Sequence, residues 1–236
     1  MLTKSNHIIY MPVKDAIDVA EKAIAALASC GEKFVVWNDF SNADTVLRLN
    51  RLQSEWHFDI VNAAELTDHP SPNYRLMLQL AQQQAIECNA DLIIIESDVM
   101  VQPDTLSRMA AVSKTEKCGM VAAITTDEKG DINFPYLYAK HYKTGCIATK
   151  KRLSFCATLL TNNLLRAYSF EQLDESKDWF DVFISHKSVE LGFQNYLLTD
   201  TPVLHLPHSS RPWKQLKYTN PLKYYWLKLT RKRDKI

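Results

Sequence analysis

Short runs of apolar residues alternate with stretches in which apolar positions recur every three or four residues, the pattern of an α/β fold with a largely parallel sheet. His7–Met11 predicts a first strand. A helix over Asp15–Ser29 follows, with Ile17, Ala20, Ile24 and Leu27 on one face. Gly31 ends it, and Phe34–Trp37 predicts a second strand. Thr45–Trp56 reads as a helix and Phe58–Val61 as a third strand. Ser71-Pro72 opens a long helix to about Glu87, because proline in a first turn loses only an orphan donor. Asp91–Ile95, with three successive isoleucines, reads as a strand buried on both faces. Beyond it the expectations are a helix over Pro103–Ser113, strands at Gly119–Ile124 and Phe155–Leu160, and a helix over Trp179–Leu191 closed by Gly192. Tyr196–Leu198 and Val203–Leu206 finish the sheet, and Thr125–Arg152 reads as loops or short antiparallel pieces.

At 236 residues the chain suits one well-filled core. A net charge of +1 argues against a protein built mainly to coat nucleic acid. The five cysteines lack metal-ligand spacing and fit free thiols in a reducing compartment. MLTKSNHIIYMPVKD lacks the apolar run of a secretory signal, and no later stretch approaches the roughly 20 apolar residues of a membrane span. The expected setting is therefore cytoplasmic. Charge is uneven at the end: Lys214, Lys217, Lys223, Lys228, Arg231, Lys232, Arg233 and Lys235 face Asp234 alone, interleaved with Tyr218, Tyr224, Tyr225 and Trp226. Two readings stand for this tail. It either meets an anionic bilayer from the cytoplasmic side or packs its aromatics on its own domain.

Ligands of open α/β sheets bind beyond the carboxyl ends of the strands, so polar residues just after strands carry the chemistry. Three places qualify. In VVWNDFSNADT an acid ends a strand before a small-polar turn, either capping the next helix or contacting a base or ribose. In DLIIIESDVMVQPDTL the buried strand ends at Glu96-Ser97-Asp98. If extended, its two carboxylates point the same way and can face one Mg²⁺ or Mn²⁺, the alternative being a turn with Asp98 as a cap. LDESKDWFDVFISHKSVELGF crowds Asp174, Glu175, Asp178 and Asp181 at a helix N-terminus. The helix dipole accounts for most of them, and one is available as a general base.

The order of these places resembles the family 2 glycosyltransferases, enzymes of the GT-A fold, over about Ile8 to His208. IIYMPVKD is similar to the Pro-centred turn after the family's first strand, which makes Pro12 and Val13 nucleotide contacts. VVWNDFSNADT is similar to its second strand end, with Asn38 in place of the first acid and Asp39 inheriting the base contact. Arg75 stands where the family sometimes has a base-holding arginine. ESD resembles the DXD element: Asp98 is implied as metal ligand, Glu96 as a longer substitute, and Ser97 lies between them. Counting back from Gly192-Phe193 makes Asp181 the implied catalytic base, with Phe180 replacing the acid usually before it. VLHLPH offers His205, and less strongly His208, as a further metal ligand, although a histidine on a strand is also often structural.

The resemblance implies one GT-A type domain over residues 1–210, its nucleotide half about 1–115 and its acceptor half about 116–210, with a basic aromatic extension over 211–236. It implies a nucleotide-diphosphate sugar donor, with uridine the family's usual base, and Mn²⁺ or Mg²⁺ as cofactor. A hydroxyl acceptor on a glycan or lipid-linked saccharide, of the kind used in bacterial surface polysaccharide or lipopolysaccharide synthesis, would be glycosylated by inverting displacement. Two other readings stand beside it. One is a catalytically degenerate scaffold, suggested by Glu96 and Phe180. The other is a nucleotidyltransferase, disfavoured because the first strand is followed by no Gly-rich phosphate loop.

Overall fold

A computed structural model describes residues 6–177, 179–206 and 220–230. The chain divides into two compact units after Leu206. The first unit is built on one sheet of nine strands, β1 (His7–Val13), β2 (Val35–Asn38), β3 (Asp59–Asn62), β4 (Asp91–Ile95), β5 (Val99–Met100), β6 (Cys118–Thr126), β7 (Cys146–Thr149), β8 (Ala157–Leu160) and β9 (Gln194–His205). Its spatial order is β3-β2-β1-β4-β8-β6-β9-β5, with β7 paired to β9. The first four strands are parallel and so are β6 and β9, whereas β8 runs antiparallel to β4 and β6, and β5 and β7 run antiparallel to β9, so the sheet is mixed.

Alternation along β4 shows how the sheet is buried on both faces. Ile93 and Ile95 join a core with residues of α1 (Ile17–Ala28), α2 (Ala43–Trp56) and α4 (Thr105–Ser113). Leu92 and Ile94 join a second core with residues of α3 (Tyr74–Glu87), α5 (Asn162–Ala167) and α6 (Phe180–Glu190). Each of these buried aliphatic side chains contributes about 1.5–3 kcal/mol relative to exposure, which pins the strand that leads into Glu96. At α2, Asn42 Oδ1 accepts the Thr45 N–H at 2.9 Å, so this member of the NDFSN turn is a helix cap.

Several expected boundaries shift for identifiable reasons. Pro12 lies within β1, opposite Trp37. The ladder from β1 to β4 ends at Tyr10, and the turn comes afterwards at Lys14–Ala16. Pro72 follows a cis bond and precedes α3, which starts at Tyr74 rather than at the proline. The two short terminal strands form one strand, β9, whose first part pairs with β7 and whose last residues pair with β5. A shift of its register against β6 between Ala123 and Thr125 absorbs residues 199–202 and makes it look like two runs in the sequence.

In the second unit α7 (Pro221–Thr230) is capped by Asn220, whose Oδ1 accepts the Lys223 N–H at 3.1 Å. Among the described residues no helix is long and apolar enough to cross a membrane. The five cysteines are free thiols.

Candidate active site

The buried strand β4 delivers Glu96, Ser97 and Asp98 to the carboxyl end of the parallel half of the sheet. These residues are not extended. The Val99 N–H donates to the Glu96 carbonyl at 3.0 Å, closing a reverse turn, because β5 must double back to pair with β9. That pairing sets Val99 opposite His205 and lets the Leu206 N–H reach the Asp98 carbonyl at 2.9 Å. Asp98 and His205 meet as a consequence: Asp98 Oδ2 lies 3.4 Å from His205 Nε2. The other ring nitrogen, Nδ1, lies 2.8 Å from the Phe134 carbonyl, and Asn133 Nδ2 donates to the His205 carbonyl at 3.0 Å.

Electrostatics follow from this crowding. Burial, then the charges of Asp98 and Asp181, push the Glu96 carboxyl up to about 7. Burial pulls His205 down, but the hydrogen bond and charge of Asp98 outweigh it, and the imidazole is held above its ordinary value. Asp181, in the first turn of α6, is raised by burial, against which the Val182 N–H, Arg152 and the Ser154 hydroxyl act. Its Oδ1 accepts the Val182 N–H at 2.9 Å. The helix that carries it is fastened from below, since Ser185 Oγ accepts the Leu153 N–H at 2.9 Å and lies 2.6 Å from the Asp181 carbonyl. Phe180 stacks on Tyr74, ring centroids 6.5 Å apart, so an apolar contact occupies the position before Asp181.

The same cluster contains residues that the strand pattern does not reveal. Cys156 Sγ lies 3.7 Å from Glu96 Oε2 and 3.5 Å from Ser154 Oγ. The Ser154 N–H donates to Tyr136 Oη at 2.9 Å. They arrive through the antiparallel pairing of β8 with β4, in which the Glu96 N–H donates to the Cys156 carbonyl at 2.9 Å. The only local signal is their place just before a strand.

The other candidate residues are differently engaged. Asp39 accepts hydrogen bonds from Ser71 Oγ (2.6 Å), the Asn73 N–H (3.0 Å) and Asn73 Nδ2 (2.9 Å), so its buried carboxylate holds the entry to α3. Asn38 Nδ2 donates to Asn62 Oδ1 at 2.9 Å, and its Oδ1 accepts the Ser41 N–H at 3.2 Å. Arg75 pairs with Glu175 and donates to the Glu171 carbonyl at 2.8 Å. The Val13 carbonyl accepts the Asp39 N–H at 3.0 Å. Just beyond it Asp15 and Ala16 take φ of 53° and 49°, a strained left-handed pair tied to the next turn through Ser41 Oγ and the Asn42 N–H. Of the acids before α6, Asp174 caps its own turn at Ser176, while Asp178 and also His208 lie outside the described residues.

Could these side chains hold a divalent cation? Among the described residues no three His, Cys, Asp or Glu form a ready cage. Yet Asp98 Oδ1 is buried without a hydrogen-bond partner, and the Phe134 carbonyl fixes His205 Nδ1, leaving Nε2 directed at Asp98. A carboxylate and an oriented imidazole suit an ion whose remaining ligands come from a diphosphate and water, the usual arrangement for Mg²⁺. The residues fit.

No protein-family model matches the chain, and no curated protein matches its sequence. Solved structures do. The S. aureus TarS fragment 1–349 is 15% identical with a TM-score of 0.65, over 85% of this chain and 60% of that one. The same fragment in complex with UDP-GlcNAc gives 13% and 0.64, over 94% and 64%. GalNAc-T7 with UDP, GalNAc and Mn²⁺ gives 9% and 0.64, over 88% and 45%. The chain spans less than two thirds of each of these neighbours. At such identities the likeness concerns architecture, and the fold is of the GT-A type.

Proposed function

We propose that this chain is a glycosyltransferase that takes a sugar from a nucleotide diphosphate, UDP being the expected donor nucleotide, and passes it to a hydroxyl acceptor with inversion. The observation that carries the reading is the convergence of Asp98, Glu96, His205 and Asp181 at the carboxyl end of β4 in a GT-A type fold. The structural neighbours named in complex with UDP or UDP-GlcNAc, one of them also with Mn²⁺, support the donor class. Family 2 membership and the DXD role of Glu96-Ser97-Asp98 belong to the same proposal.

In this reading Asp98 and His205, with Glu96 beside them, would hold Mg²⁺ or Mn²⁺, whose chemistry is to offset charge on a leaving diphosphate. Asp181 accepts the proton of the acceptor hydroxyl as that oxygen attacks the anomeric carbon, and burial raises its basicity for the task. Single displacement needs one such base. In the same reading the strained Asp15–Ala16 turn beside Val13 and Asp39 lies on the nucleotide side, and Pro12, Asn38 and Arg75 would contact the nucleotide there.

Isothermal titration of UDP with Mn²⁺ and then with EDTA tests the donor site. Binding is expected to need the metal and to be lost in Asp98→Ala. Asp181→Asn is expected to keep UDP affinity and lose at least about 100-fold in turnover. Turnover like wild type in that variant removes Asp181 from its role. A second reading, a domain kept only for binding, draws on Asp39, whose carboxylate is occupied by three internal hydrogen bonds and so has little left for a base. Hydrolysis of a UDP-sugar by the wild-type protein separates the two.

A further inference from the structure

From Ile132 to Phe170 the chain contains no aspartate or glutamate, but it carries Lys140, Lys143, Lys150, Lys151, Arg152 and Arg166. Two parts of this segment meet beside the acidic cluster. Tyr138 Oη donates to the Arg152 carbonyl at 2.7 Å, and Tyr136 Oη donates to the Ser154 carbonyl at 3.2 Å. The contact sets the Arg152 guanidinium over the Phe134 ring, Cζ 5.6 Å from its centroid. Phe134 faces two ways. Its carbonyl holds His205 Nδ1, while the residue itself stays 48% exposed.

Arg152 is partly buried and forms no ion pair among the described residues. Its charge nevertheless reaches Asp181. A guanidinium held on an aromatic face is already oriented, so little freedom is lost when its fork meets a phosphate or carboxylate. The phenyl ring beside it offers an apolar surface of the kind that the C–H face of a sugar covers. The Arg152 charge, which already acts on Asp181, is what attracts an anion at this rim, although the neighbouring cluster is acidic.

We propose that Phe134 and Arg152 form the acceptor platform, built for a saccharide that carries an anionic group, phosphate or carboxylate, next to the reacting hydroxyl. This names the acceptor class of the site and rests on the glycosyltransferase reading above. Phe134 stacks the sugar ring, and Arg152 binds the anion and sets which hydroxyl faces Asp181.

Binding of immobilised trisaccharides tests this, with the protein held in saturating UDP and Mn²⁺. The probes end in a neutral hexose, the same hexose 6-phosphate, or the matching hexuronate. Wild type is expected to retain an anionic probe roughly ten-fold better than the neutral one, and the better of the two names the anion. Arg152→Ala is expected to erase that preference, Arg152→Lys to keep part of it, and Phe134→Ala to weaken all three probes. UDP affinity measured in parallel should not change in any variant. Equal retention of neutral and anionic probes by wild type overturns the proposal. So does a loss of UDP affinity in Arg152→Ala, which would assign the guanidinium to the donor diphosphate. Anion preference in a protein that binds no UDP would leave the platform standing and remove the donor reading instead.

Discussion

Asp98 and Glu96 are two residues apart yet have different electrostatic tasks. Asp98 Oδ1 has no hydrogen-bond partner and His205 lies against Oδ2, whereas for Glu96 the charge of His205 and the weak thiol of Cys156 do not outweigh burial and the neighbouring acids. Glu96 therefore holds its proton up to about pH 7, against 4.5 for the free side chain. Between these values the folded chain binds a proton that the unfolded chain has released, so stability falls as pH rises through the window. His205 adds a fall of the same sign higher up. Its folded-state value lies above 6.5, and its stabilisation is lost as pH rises through that value. Glu96→Gln keeps the neutral shape and removes the first fall. Melting temperature measured in EDTA from pH 4.5 to 8 should decline for wild type and stay flatter below about pH 6.5 for the variant. Parallel declines would show that Glu96 titrates normally.

At the scale of elements, much of the site's precision comes from close packing behind it. Gly119 in β6 illustrates this. A Cβ there would stand 2.1 Å from Ser188 Oγ of α6 and 2.7 Å from Phe193 Cβ, with Asn195 Oδ1 at 3.0 Å. Ser188 and Asn195 are themselves joined at 2.6 Å and buried, so neither has space to retreat. Gly119→Ala is expected to destabilise the fold by about 1–3 kcal/mol, read as a lower melting temperature, and to cost activity by shifting the helix that carries Asp181. An unchanged melting temperature would mean that α6 slides freely. Elements of this kind differ in how far the sequence discloses them. Asp91–Ile95 is legible to the residue, because an unbroken aliphatic run between a polar turn and an acidic one has few other uses. The turn at Glu96–Val99 is not, because it depends on β5 pairing with a strand more than a hundred positions later. For the same reason Asp98 and His205 are separate candidates in the sequence, and only the β5–β9 register explains their contact. Ser154 and Phe134 carry no periodic signal, and Cys156, inside the run read as the strand Phe155–Leu160, gives no sign of what it meets. They enter the cluster through the β8 pairing and through a carbonyl that no side-chain pattern reports.

For the molecule as a whole, the glycosyltransferase reading makes the second unit the place to look for contact with a membrane-borne acceptor. The described part of the second unit exposes Leu222, Tyr225 and Trp226, at 86%, 54% and 62% of their surface, at spacings that share one side of α7. Lysines and arginines in this helix and on either side of it outnumber acids by eight to one between Lys214 and Ile236. Apolar and aromatic side chains beside basic ones suit the headgroup layer of an anionic membrane, where each lysine or arginine near the surface contributes about 1 kcal/mol. A charge-driven contact of this kind weakens as salt screens it. The full chain is therefore expected to sediment with vesicles containing phosphatidylglycerol at low salt, and to be released at about 0.5 M salt, where the screening length is only a few ångströms. A chain lacking 216–236 should stay in the supernatant while binding UDP and Mn²⁺ as before, since the acidic cluster belongs to the first unit. Equal sedimentation of the two chains would take the tail out of membrane contact and leave its exposed aromatics to be explained by another partner.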